Sequence, residues 1–524
     1  MASLSSADHS TSPPRVHIAR DYNAAHDLLE RNAGRATKVA YIDAGGSHTY
    51  GHLSERAVRA QNALAAQGLV REDRIMLALL DTVDFPAVFL GAIRGGMVPI
   101  AANTLLTTAD FEFMLRDSRA KALVVSAALL PVLAPLLGRI ESLKLVIVAG
   151  GSAPGHASLD ALVDAAGSQA AVADTSADDP CFWLYSSGST GTPKGTVHLH
   201  SHLILSAELY GRAVLGIRED DVVFSAAKLF FAYGLGNGLT FPMSVGATTV
   251  LLGGRPTPEA VFEVLVKHRP TIFYGVPTLY AAMLADPKAP DRGALNLRVC
   301  TSAGEALPAD IGRRFNEKYG AEILDGIGST EMLHIFISNR PGDVRYGSTG
   351  RPVPGYAIRL LDESGQPVAT GEIGEMQVSG PTSALMYWNN RDKTKHTFLG
   401  PWTRSGDKYL CDADGYYTYC GRNDDMLKVG GIYVSPFEVE AALQTHPAVL
   451  EAAVVAQEDD EHLVKPKAYV VFKQGVSASD DELKAHVKAR LAPYKYPRWI
   501  EIVPELPKTA TGKIQRFKLR AKAK

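Results

Sequence analysis

The feature that most constrains the fold is an alternation, up to about residue 420, of short apolar runs with segments of helical periodicity. The apolar runs are 74–80, 123–125, 144–148, 248–252 and 271–274, and helical segments such as 53–66 lie between them. Apolar runs of this length, separated by helices, are typical of buried strands in an α/β fold. No segment repeats with a period of 20 to 50 residues, so a solenoid is not expected.

The last hundred residues have a different organisation and predict a small α+β unit. Two capping boxes, each opening a helix that must stop before a proline, are Ser435 with Glu438 before Pro447 and Ser479 with Glu482 before Pro493. Strands are expected over 452–456, 468–472 and 499–503. The polar stretch 421–425 is the predicted linker to this unit, and residues 1–14 are expected to form a flexible tail.

Charge and apolar content exclude several classes of partner. The chain has 54 Lys and Arg against 56 Asp and Glu, so it has no general attraction to nucleic acid or acidic lipid. The longest uncharged run, 229–254, contains six glycines and Pro242, which is untypical of a membrane helix. The N-terminus lacks the order of a secretory signal, and the four cysteines show no CxxC spacing. We expect a cytoplasmic protein with small-molecule partners, no nucleic acid and no membrane.

Residues 185–195 have the composition of a phosphate-binding loop. They follow the apolar run 181–185 and combine five Ser or Thr hydroxyls, three glycines and Lys194. Exposed N–H groups on a glycine-rich backbone can hold a polyphosphate, whereas a flexible linker would not be expected to follow a buried strand directly. Lys194 precedes Gly195, and 195–200 alternates like a strand, so the loop is not a Walker A loop.

This loop resembles the signature of the adenylate-forming superfamily of acyl-CoA synthetases, peptide-synthetase adenylation domains and luciferases. Further segments that resemble the family's motifs follow in its order: 301–305, 325–331, 404–407, 421–424 with 428–431, and 507–513. The amino-acid sequences of segments 228–234 and 331–335 are most similar to those of benzoate–CoA ligases. The resemblance implies a large multi-sheet N-terminal domain at 15–422, which binds ATP and the acyl group, and a small mobile α+β C-terminal domain at 423–524.

The resemblance implies a reaction in two halves, with ATP, Mg²⁺ and coenzyme A. A carboxylate first attacks the α-phosphorus of ATP and releases pyrophosphate, and a thiol then displaces AMP. Glu331 would be the magnesium ligand, helped by Thr190, and Lys513 would bridge the carboxylate and the α-phosphate. The ATP-binding residues implied by the resemblance are Ser186, Ser187, Gly188, Ser189, Thr190, Gly191, Lys194, Ala303, Gly304, Glu305, Asp325, Gly326, Ile327, Thr330, Asp407 and Arg422.

Within the nucleotide site, the resemblance implies that Asp407 accepts hydrogen bonds from both ribose hydroxyls and that Arg422 donates a hydrogen bond nearby. The alternative for these two residues is an ordinary surface ion pair. Asp325, or a backbone carbonyl beside it, would accept the adenine amino group. Ile327 stands where the family commonly has a tyrosine, so stacking on the base is lost there.

An aromatic segment followed by spaced glycines predicts the acyl pocket. Such a flat wall suits a small planar ring better than a long chain, although core packing is the alternative. The substrate-binding residues inferred from this segment and from the resemblance are Phe231, Ala232, Tyr233, Gly328, His334 and Ile335. Phe231 replaces a histidine that related aryl–CoA ligases carry, and His334 is expected near the substrate carboxylate.

Three further sequence patterns lead to separate predictions. The resemblance places a hinge at Asp424 and the coenzyme A path at Gly430 and Gly431. The alternating His198, His200 and His202 would share one face of a strand, but no further ligand spacing completes a zinc site. The basic stretch 508–524 is either a solvated tail or the carrier of a mobile catalytic charge, Lys513.

We therefore expect an ATP-dependent aryl-acid–CoA ligase, acting as a monomer or homodimer, with benzoate as the first candidate substrate. A free-standing adenylation enzyme that loads a carrier protein is the alternative. A non-catalytic nucleotide sensor is the hypothesis from a different class. The sequence does not separate benzoate from 2-aminobenzoate or fluorobenzoates, because such differences are worth only about 1–3 kcal/mol.

Overall fold

Two large sheets contain the apolar runs that predicted buried strands. The computed structural model describes residues 3–187, 193–422, 425–429, 432–460, 463–492, 494–508 and 514–522. Across the first sheet the strands are Met386–Tyr387, Pro193–Leu199, Pro180–Ser187, Val98–Ala101, Arg74–Ala78, Ala122–Ser126, Leu145–Ala149 and Ala157–Ser158. Across the second sheet they are Arg351–Pro352, Ile335–Ser338, Ile323–Gly328, Val299–Ser302, Ile272–Gly275, Val222–Ser225, Thr248–Val250, Val39–Asp43 and Gly46–Thr49.

The central strands of both sheets run parallel. In the first sheet Arg74–Ala78 lies parallel to Val98–Ala101 and Ala122–Ser126, and in the second Val222–Ser225 lies parallel to Ile272–Gly275. Parallel neighbours require crossover connections, which the helices between them supply, and burial on both faces explains why these runs are apolar throughout. Because ligands bind beyond the carboxyl ends of parallel strands, these ends locate the candidate site.

Several helices of the larger part begin at side-chain caps that the local sequence supplies. Thr49 accepts from the N–H of His52, and Thr107 with Asp110 forms a reciprocal capping box. The α-helices are Ala24–Glu30, Tyr50–Ala66, Asp84–Arg94, Thr108–Ser118, Leu130–Leu133, Leu159–Ala165, His200–Ser206, Ala232–Leu235, Phe241–Val245, Pro258–His268, Pro277–Ala285, Ala309–Tyr319 and Arg391–Thr397. The 3₁₀ turns are Ala33–Arg35, Ala127–Leu129, Ala134–Leu136 and Arg292–Ala294, and the π-helical segments are Ala207–Arg212 and Gly236–Thr240.

A third, antiparallel sheet follows the two large ones in the chain. Its strands are Ala357–Leu361, Gly374–Ser379, Trp402–Cys411 and Phe398–Leu399, with Tyr417–Arg422 paired to Trp402–Cys411. The register sets Asp407 directly opposite Arg422. This pairing brings together two residues that the sequence assigned separately to the nucleotide site.

The C-terminal part forms its own hydrophobic core. Its elements are the hairpin Leu427–Val429 with Ile432–Val434, the strands Val449–Glu458, Val464–Phe472 and Trp499–Ile502, and the helices Pro436–Gln444, Asp480–Lys488 and Arg516–Lys522. Both predicted N-caps are confirmed, since the Ser435 and Ser479 hydroxyls accept from the N–H groups of Glu438 and Glu482 at 3.3 and 3.2 Å. The Glu438 carboxylate itself pairs with Lys495 at 2.7 Å. The three predicted strands of this unit are confirmed as well.

The basic C-terminal stretch differs from the solvated tail considered above. The Arg516 guanidinium pairs with the Glu440 carboxylate at 2.8 Å, and both side chains are buried. Glu440 also accepts from the N–H of Val454 at 2.7 Å, and Leu519 is buried in the small core. A paired, desolvated arginine and a buried leucine anchor residues 514–522 to the small unit, which a count of basic residues could not predict.

The N-terminal segment also differs from the flexible tail that was expected. Ser6–Asp8 pairs antiparallel with Arg15–His17. The Ser5 hydroxyl donates to Asp27 at 2.5 Å, and His9 contacts Glu208 at 2.7 Å. Long-range partners hold this segment on the larger part of the molecule, and its Ser- and Thr-rich composition carries no signal of them.

The long uncharged run 229–254 is divided into short elements. It contains Ala232–Leu235, Gly236–Thr240, Phe241–Val245 and the strand Thr248–Val250. Gly246 ends the last helix in the left-handed region at φ 81°. Among the residues that the structure describes, no helix combines the length and the apolar character needed to cross a membrane.

Candidate active site

The predicted site residues gather where strands of the second sheet end. Val299–Ser302 leads into Ala303, Gly304 and Glu305, and Ile323–Gly328 leads into a turn that carries Thr330 and Glu331. Ser302 lies beside Asp325 in the parallel register of these strands. Segments that are separate in sequence therefore meet at one edge of the sheet.

The predicted phosphate loop joins two antiparallel strands of the first sheet. Ser187 pairs with Pro193, and Ser186 pairs with Lys194, across Pro180–Ser187 and Pro193–Leu199. The strand predicted at 195–200 is therefore confirmed except at its last residue. Gly188, Ser189, Thr190 and Gly191 lie outside the described residues, so their assignment to ATP stays a prediction.

Glu331 is held in place by two hydroxyl groups. The Tyr387 hydroxyl donates to its Oε1 atom at 2.7 Å, and the Ser186 hydroxyl donates to the same atom at 3.2 Å. Its backbone carbonyl accepts from the N–H of Ala384 at 2.7 Å. Both side-chain donors engage one carboxylate oxygen, which fixes the orientation of Glu331, and no residue that the structure describes bonds to Oε2.

Lys194, in the predicted phosphate loop, contacts the Tyr387 side chain that binds Glu331. Its ammonium lies 4.6 Å from the centre of the Tyr387 ring, a cation–π contact. Burial lowers the pKa of Lys194, and the negative charge of Glu331 opposes that shift. Lys194, Tyr387 and Glu331 thus form a cluster in which a cation and an anion share one aromatic side chain.

Tyr387 is a site residue that the sequence analysis missed. It is buried and lies on the edge strand of the first sheet, opposite Thr196 in the neighbouring strand. In the sequence it is 56 residues from Glu331 and belongs to none of the segments singled out above. A tyrosine in a short apolar stretch predicts core packing, and no local pattern could have paired it with the carboxylate.

The residues predicted to bind adenine lie on two adjacent strands. Asp325 is buried, its Oδ1 atom has no hydrogen-bond partner among the described residues, and burial raises its pKa well above the usual value. Ile327 is half-buried on the same strand, next to Gly326. A buried acceptor without a partner is costly, and a ligand N–H would satisfy it.

Asp407 and Arg422 form an ion pair, as the alternative interpretation of these two residues expected. Their Oδ1 and Nη1 atoms are 3.2 Å apart, with Asp407 buried and Arg422 about half exposed. The Asp407 N–H donates to the Ser405 hydroxyl at 3.1 Å. Because Asp407 is buried, the pair is not an ordinary contact between two solvated side chains, and the assignment of Asp407 to ribose stays a prediction.

The predicted aryl-binding residues surround a buried histidine. His334 lies 4.5 Å from Phe241, 5.3 Å from Tyr210 and 5.6 Å from Tyr233 between ring centres. Phe231, Ala232 and Tyr233 are half-buried, and the Tyr233 hydroxyl bonds to Thr301 at 2.5 Å. Ile335 is buried at the start of Ile335–Ser338. The cluster is aromatic on several sides, as a pocket for a planar ring requires.

The hydrogen bonds of His334 identify its tautomer. Its Nε2 atom lies 3.2 Å from both the Tyr233 carbonyl and the Asn237 side-chain oxygen, which are acceptors, so Nε2 carries the proton. Burial lowers the pKa of His334 to about 3, so the ring is neutral at pH 7. Its Nδ1 atom then has no hydrogen to donate, so His334 cannot donate a hydrogen bond to a carboxylate through that atom.

Two glycines allow the backbone to approach this histidine closely. A Cβ atom added at Gly236 would lie 2.4 Å from the His334 ring, and one added at Gly328 would lie 2.6 Å from the His334 carbonyl oxygen. Gly236 and Asn237 belong to one π-helical segment and Tyr210 to the other. Such segments are frequent at functional sites. The spaced glycines of the sequence are therefore a steric requirement of this pocket.

The three spaced histidines do not share a strand face. His198 lies in Pro193–Leu199, whereas His200 and His202 belong to the helix His200–Ser206. The alternation predicted along one strand is wrong beyond Leu199, because Leu199 is the N-cap of that helix. Among the described residues there is no group of three or more His, Cys, Asp or Glu side chains that could hold a metal ion. His198 instead contacts the Thr330 carbonyl oxygen at 2.7 Å.

Several predicted residues cannot be placed relative to this cluster. Lys513, the hinge residue Asp424, and Gly430 with Gly431 lie outside the described residues, as does the predicted metal ligand Thr190. Glu331 nevertheless fits a magnesium site, since Mg²⁺ is usually bound by one or two carboxylates and keeps several waters. The observation that supports this fit is a carboxylate fixed through Oε1, to whose Oε2 atom none of the described residues bonds.

Comparison with known proteins gives a consistent family. The AMP-binding enzyme family matches residues 28–388, and the AMP-binding enzyme C-terminal domain matches residues 438–513. A benzoate–CoA ligase of Thauera aromatica is 63% identical over 99% of this chain and 100% of its own length. A 4-hydroxybenzoate–CoA/benzoate–CoA ligase of Rhodopseudomonas palustris is 51% identical over 96% of this chain and 94% of its own length.

Solved structures agree with the sequence relatives. A benzoate CoA ligase from Burkholderia xenovorans LB400 superposes with a TM-score of 0.90 at 57% identity, covering 95% of this chain and 100% of that one. An anthranilate CoA ligase in complex with anthranoyl-AMP superposes with a TM-score of 0.93 at 44% identity, covering 97% and 98%. The predicted α/β class, with a large N-terminal and a small C-terminal domain, is confirmed. Because the matched families include the Glu331 turn and the small C-terminal unit, the chain belongs to the AMP-binding enzymes.

Proposed function

We propose that the protein is an ATP-dependent aryl-acid–CoA ligase that acts on benzoate or a close analogue. In the first half-reaction a carboxylate oxygen bonds to the α-phosphorus of ATP, and pyrophosphate leaves. In the second, the thiol sulfur of coenzyme A bonds to the acyl carbon, the thiol proton is lost, and AMP leaves. The products are the aryl-CoA thioester, AMP and pyrophosphate.

The observation that carries this proposal is that one short segment, 325–334, connects the predicted nucleotide-binding residues to the aromatic cluster. Asp325 begins it, Glu331 stands on its turn, and His334 ends it inside the aromatic cluster. A carboxylate on a ring beside His334 would therefore face a nucleotide bound along Asp325 and Glu331. Bringing two anions together in this way is the main requirement of adenylation, since correct placement alone can remove much of a barrier.

The residues assigned to ATP would act mainly through electrostatics. Lys194 and Lys513 supply positive charge around the phosphates, and the Thr330 hydroxyl binds the α-phosphate. When bound, Mg²⁺ would be held by Glu331 and Thr190 and would neutralise charge on the phosphate oxygens. Asp407 accepts the ribose hydroxyls beside Arg422, and Asp325 or a neighbouring carbonyl accepts from adenine. Fixed charges in a partly buried site stabilise developing charge better than water does.

The aryl preference follows from the aromatic cluster and from the relatives. Neutral His334, Tyr233 and the closely packed Gly236 leave a flat, buried wall without a charged side chain. The relatives at 63% and 51% identity act on benzoate or 4-hydroxybenzoate, and the solved relative at 44% identity holds an anthranoyl group. Benzoate is accordingly the first substrate to test, followed by its hydroxy and amino derivatives.

The small unit would serve both halves of the reaction. We assign residues 15–422 to the ATP- and acyl-binding domain and 423–524 to the small domain, with the pivot at Asp424. Lys513 would face the active site during adenylation, and Gly430 with Gly431 would line the coenzyme A path during thioester formation. The Tyr419 and Phe437 rings, 4.7 Å apart, form part of the contact between the two units.

The deciding experiment measures both halves separately. Pyrophosphate release is followed with ATP, Mg²⁺ and a panel of aryl acids, with and without coenzyme A. We expect release that depends on benzoate, and a benzoyl-CoA product once coenzyme A is added. Transfer to a carrier-protein thiol with no transfer to free coenzyme A would identify the carrier-loading alternative. Binding of ATP without release of pyrophosphate, for every acid tested, would identify a nucleotide sensor.

A further inference from the structure

A strained turn connects the predicted metal ligand to the aryl pocket. Thr330 to Leu333 form a tight turn in which the Leu333 N–H donates to the Thr330 carbonyl at 3.2 Å. Leu333 has φ 65°, in the left-handed region that a branched, non-glycine residue rarely adopts. Such strain persists only where the surroundings hold it, so the supports of this turn need an explanation.

A buried histidine supplies one of those supports. The Nε2 atom of His198 lies 2.7 Å from the Thr330 carbonyl oxygen, which therefore accepts from both His198 and the Leu333 N–H. His198 is fully buried, and its ring stacks on Phe182 at 5.3 Å and an interplanar angle of 18°. Stacking fixes the plane of the imidazole, so its N–H points in one direction.

The Thr330 carbonyl determines which nitrogen of His198 carries the proton. Burial lowers the pKa of His198 to about 4, so the ring is neutral at pH 7 and has a single N–H. A carbonyl oxygen can only accept, so that proton is on Nε2. The Nδ1 atom of His202 lies 3.0 Å from the Nδ1 atom of His198, and the Leu199 N–H points at the same His202 atom from 3.4 Å.

The local sequence makes this pair possible. Pro193–Leu199 ends where the helix His200–Ser206 begins, so His202 lies one helical turn beyond His198 and faces it edge-on at 74°. No charged side chain bonds to either histidine among the described residues. Neither ring belongs to the nucleotide or aryl contacts described above, and the mechanism leaves both unused.

We infer that His198, held in one tautomer by the Thr330 carbonyl and in one plane by Phe182, is a positioning residue that fixes the Thr330 to Leu333 turn and through it the carboxylate of Glu331. The turn joins Glu331, which faces the nucleotide, to His334, which faces the ring. Fixing its first carbonyl sets the direction of the Glu331 side chain before any ligand arrives. This inference rests on the proposed function only for the identity of the ligand that Glu331 meets.

The test uses two substitutions of nearly equal shape. His198→Gln keeps an N–H close to the position of Nε2, whereas His198→Met has a similar length and no donor. Binding of Mn²⁺ together with ATP is measured by electron paramagnetic resonance without aryl acid, so this result does not depend on turnover. Partners that orient a metal ligand typically contribute 10- to 100-fold, so we expect His198→Met to weaken Mn²⁺–ATP binding by about 10- to 100-fold. His198→Gln should stay within about threefold of wild type.

Kinetics then separate positioning from a general loss of structure. In His198→Met the KM for ATP should rise while the KM for benzoate and the transfer of supplied benzoyl-adenylate to coenzyme A stay close to wild type. Equal losses in the Gln and Met variants, or a rise in the benzoate KM as large as that for ATP, would overturn the inference. Absence of pyrophosphate release in the wild type would refute the proposed function and leave the metal-binding comparison intact.

His202→Phe provides the second line of evidence if neither His198 variant folds. It leaves His198 in place but removes the nitrogen that contacts its Nδ1 atom, so Mn²⁺–ATP binding should weaken by about three- to tenfold. Wild-type binding in a folded His202→Phe protein would show that the second histidine has no positioning role.

Discussion

The nucleotide side and the aryl side of the site are built in different ways. On the nucleotide side, Glu331, Lys194 and Arg422 are partly exposed charged groups that reach the site from strand ends. On the aryl side, His334 and its neighbours are buried, neutral and closely packed around glycine. The first side has charge to offer incoming ions, and the second excludes charge and water.

This difference matches the two substrates. ATP with its metal brings charge that must be neutralised, so side chains with free carboxylate oxygens or ammonium groups are useful there. A benzoate ring brings a flat apolar surface, whose recognition depends on shape. We expect substitutions that change charge to affect the use of ATP, and substitutions that change side-chain volume to affect binding of the aryl acid. Each kind of substitution should have little effect on the other substrate.

The largest effect is expected from Glu331→Ala. Loss of the oriented carboxylate should slow adenylation by roughly 10²- to 10³-fold, because stabilisation of charge at the phosphates is lost. Transfer of supplied benzoyl-adenylate to coenzyme A should change little. Stopped-flow pyrophosphate release measures the first half, with the exposed Glu317→Ala as the control. A slowed second half of similar size would remove the distinction between the two sides.

A volume change should have the next largest effect, on the aryl side. In Gly236→Ala the new methyl group would lie 2.4 Å from the His334 ring, so the pocket must shift or shrink. We expect the KM for benzoate to rise by about 10- to 100-fold, which corresponds to the 1–3 kcal/mol typical of overpacking, while the KM for ATP stays near wild type. Gly293→Ala, where an added Cβ meets no atom within 4 Å, is the matched control. A parallel rise in both KM values would contradict the separation.

Asp407→Ala returns to the nucleotide side with an effect of similar size. Removing an acceptor for a ribose diol costs about 1.5–3 kcal/mol, so the KM for ATP should rise by roughly 10- to 150-fold. The order of preference among aryl acids should not change, since Asp407 lies outside the aromatic cluster. Steady-state kinetics over the acid panel measures both quantities, with exposed Asp174→Ala as control. An unchanged ATP KM would exclude Asp407 from ribose binding.

The smallest effect concerns stability, and it should have opposite signs on the two sides. Burial lowers the pKa of His334 to about 3. Below pH 6.5 the unfolded chain therefore binds a proton at this residue that the folded chain does not bind. The contribution of His334 to the free energy of unfolding is consequently lost as the pH falls from 6.5. Burial raises the pKa of Asp325 well above 3.8, so its contribution to stability increases as pH falls. Urea unfolding of His334→Gln and Asp325→Asn against wild type, from pH 8 to 4, isolates each group. If the difference in free energy of unfolding between variant and wild type changed with pH in the same direction for both variants, this assignment would be contradicted.

The sequence predicted the elements of the fold better than their contacts. Strands such as Arg74–Ala78 and helices such as Asp480–Lys488 follow from apolar runs and capping boxes, because those signals lie within a few residues. The packing of Ser6–Asp8 against Arg15–His17, and of Arg516 against Glu440, depends on tertiary partners. Composition alone predicted both terminal stretches to be solvent-exposed, since it contains no information about such partners.

The site shows the same limit. Glu331 and Asp407 could be identified because each stands in a motif that resembles the family, and their roles stay predictions of that resemblance. Tyr387 and the contact of His198 with Thr330 could not be identified, since they are 56 and 132 residues from their partners. A hydrogen bond between distant residues leaves no periodic trace in one sequence.

The two π-helical segments beside the aromatic cluster make the pocket depend on chain length as well as on residue identity. Ala207–Arg212 and Gly236–Thr240 each wind more loosely than an α-helix, which is equivalent to accommodating an inserted residue. Deleting one residue from such a segment would restore ordinary winding and turn the remaining side chains of the segment, while the flanking elements keep their relative orientation. Asn237 and Tyr210 would then point elsewhere. Insertions and deletions are therefore a way to reshape the aryl pocket that point substitutions cannot reproduce.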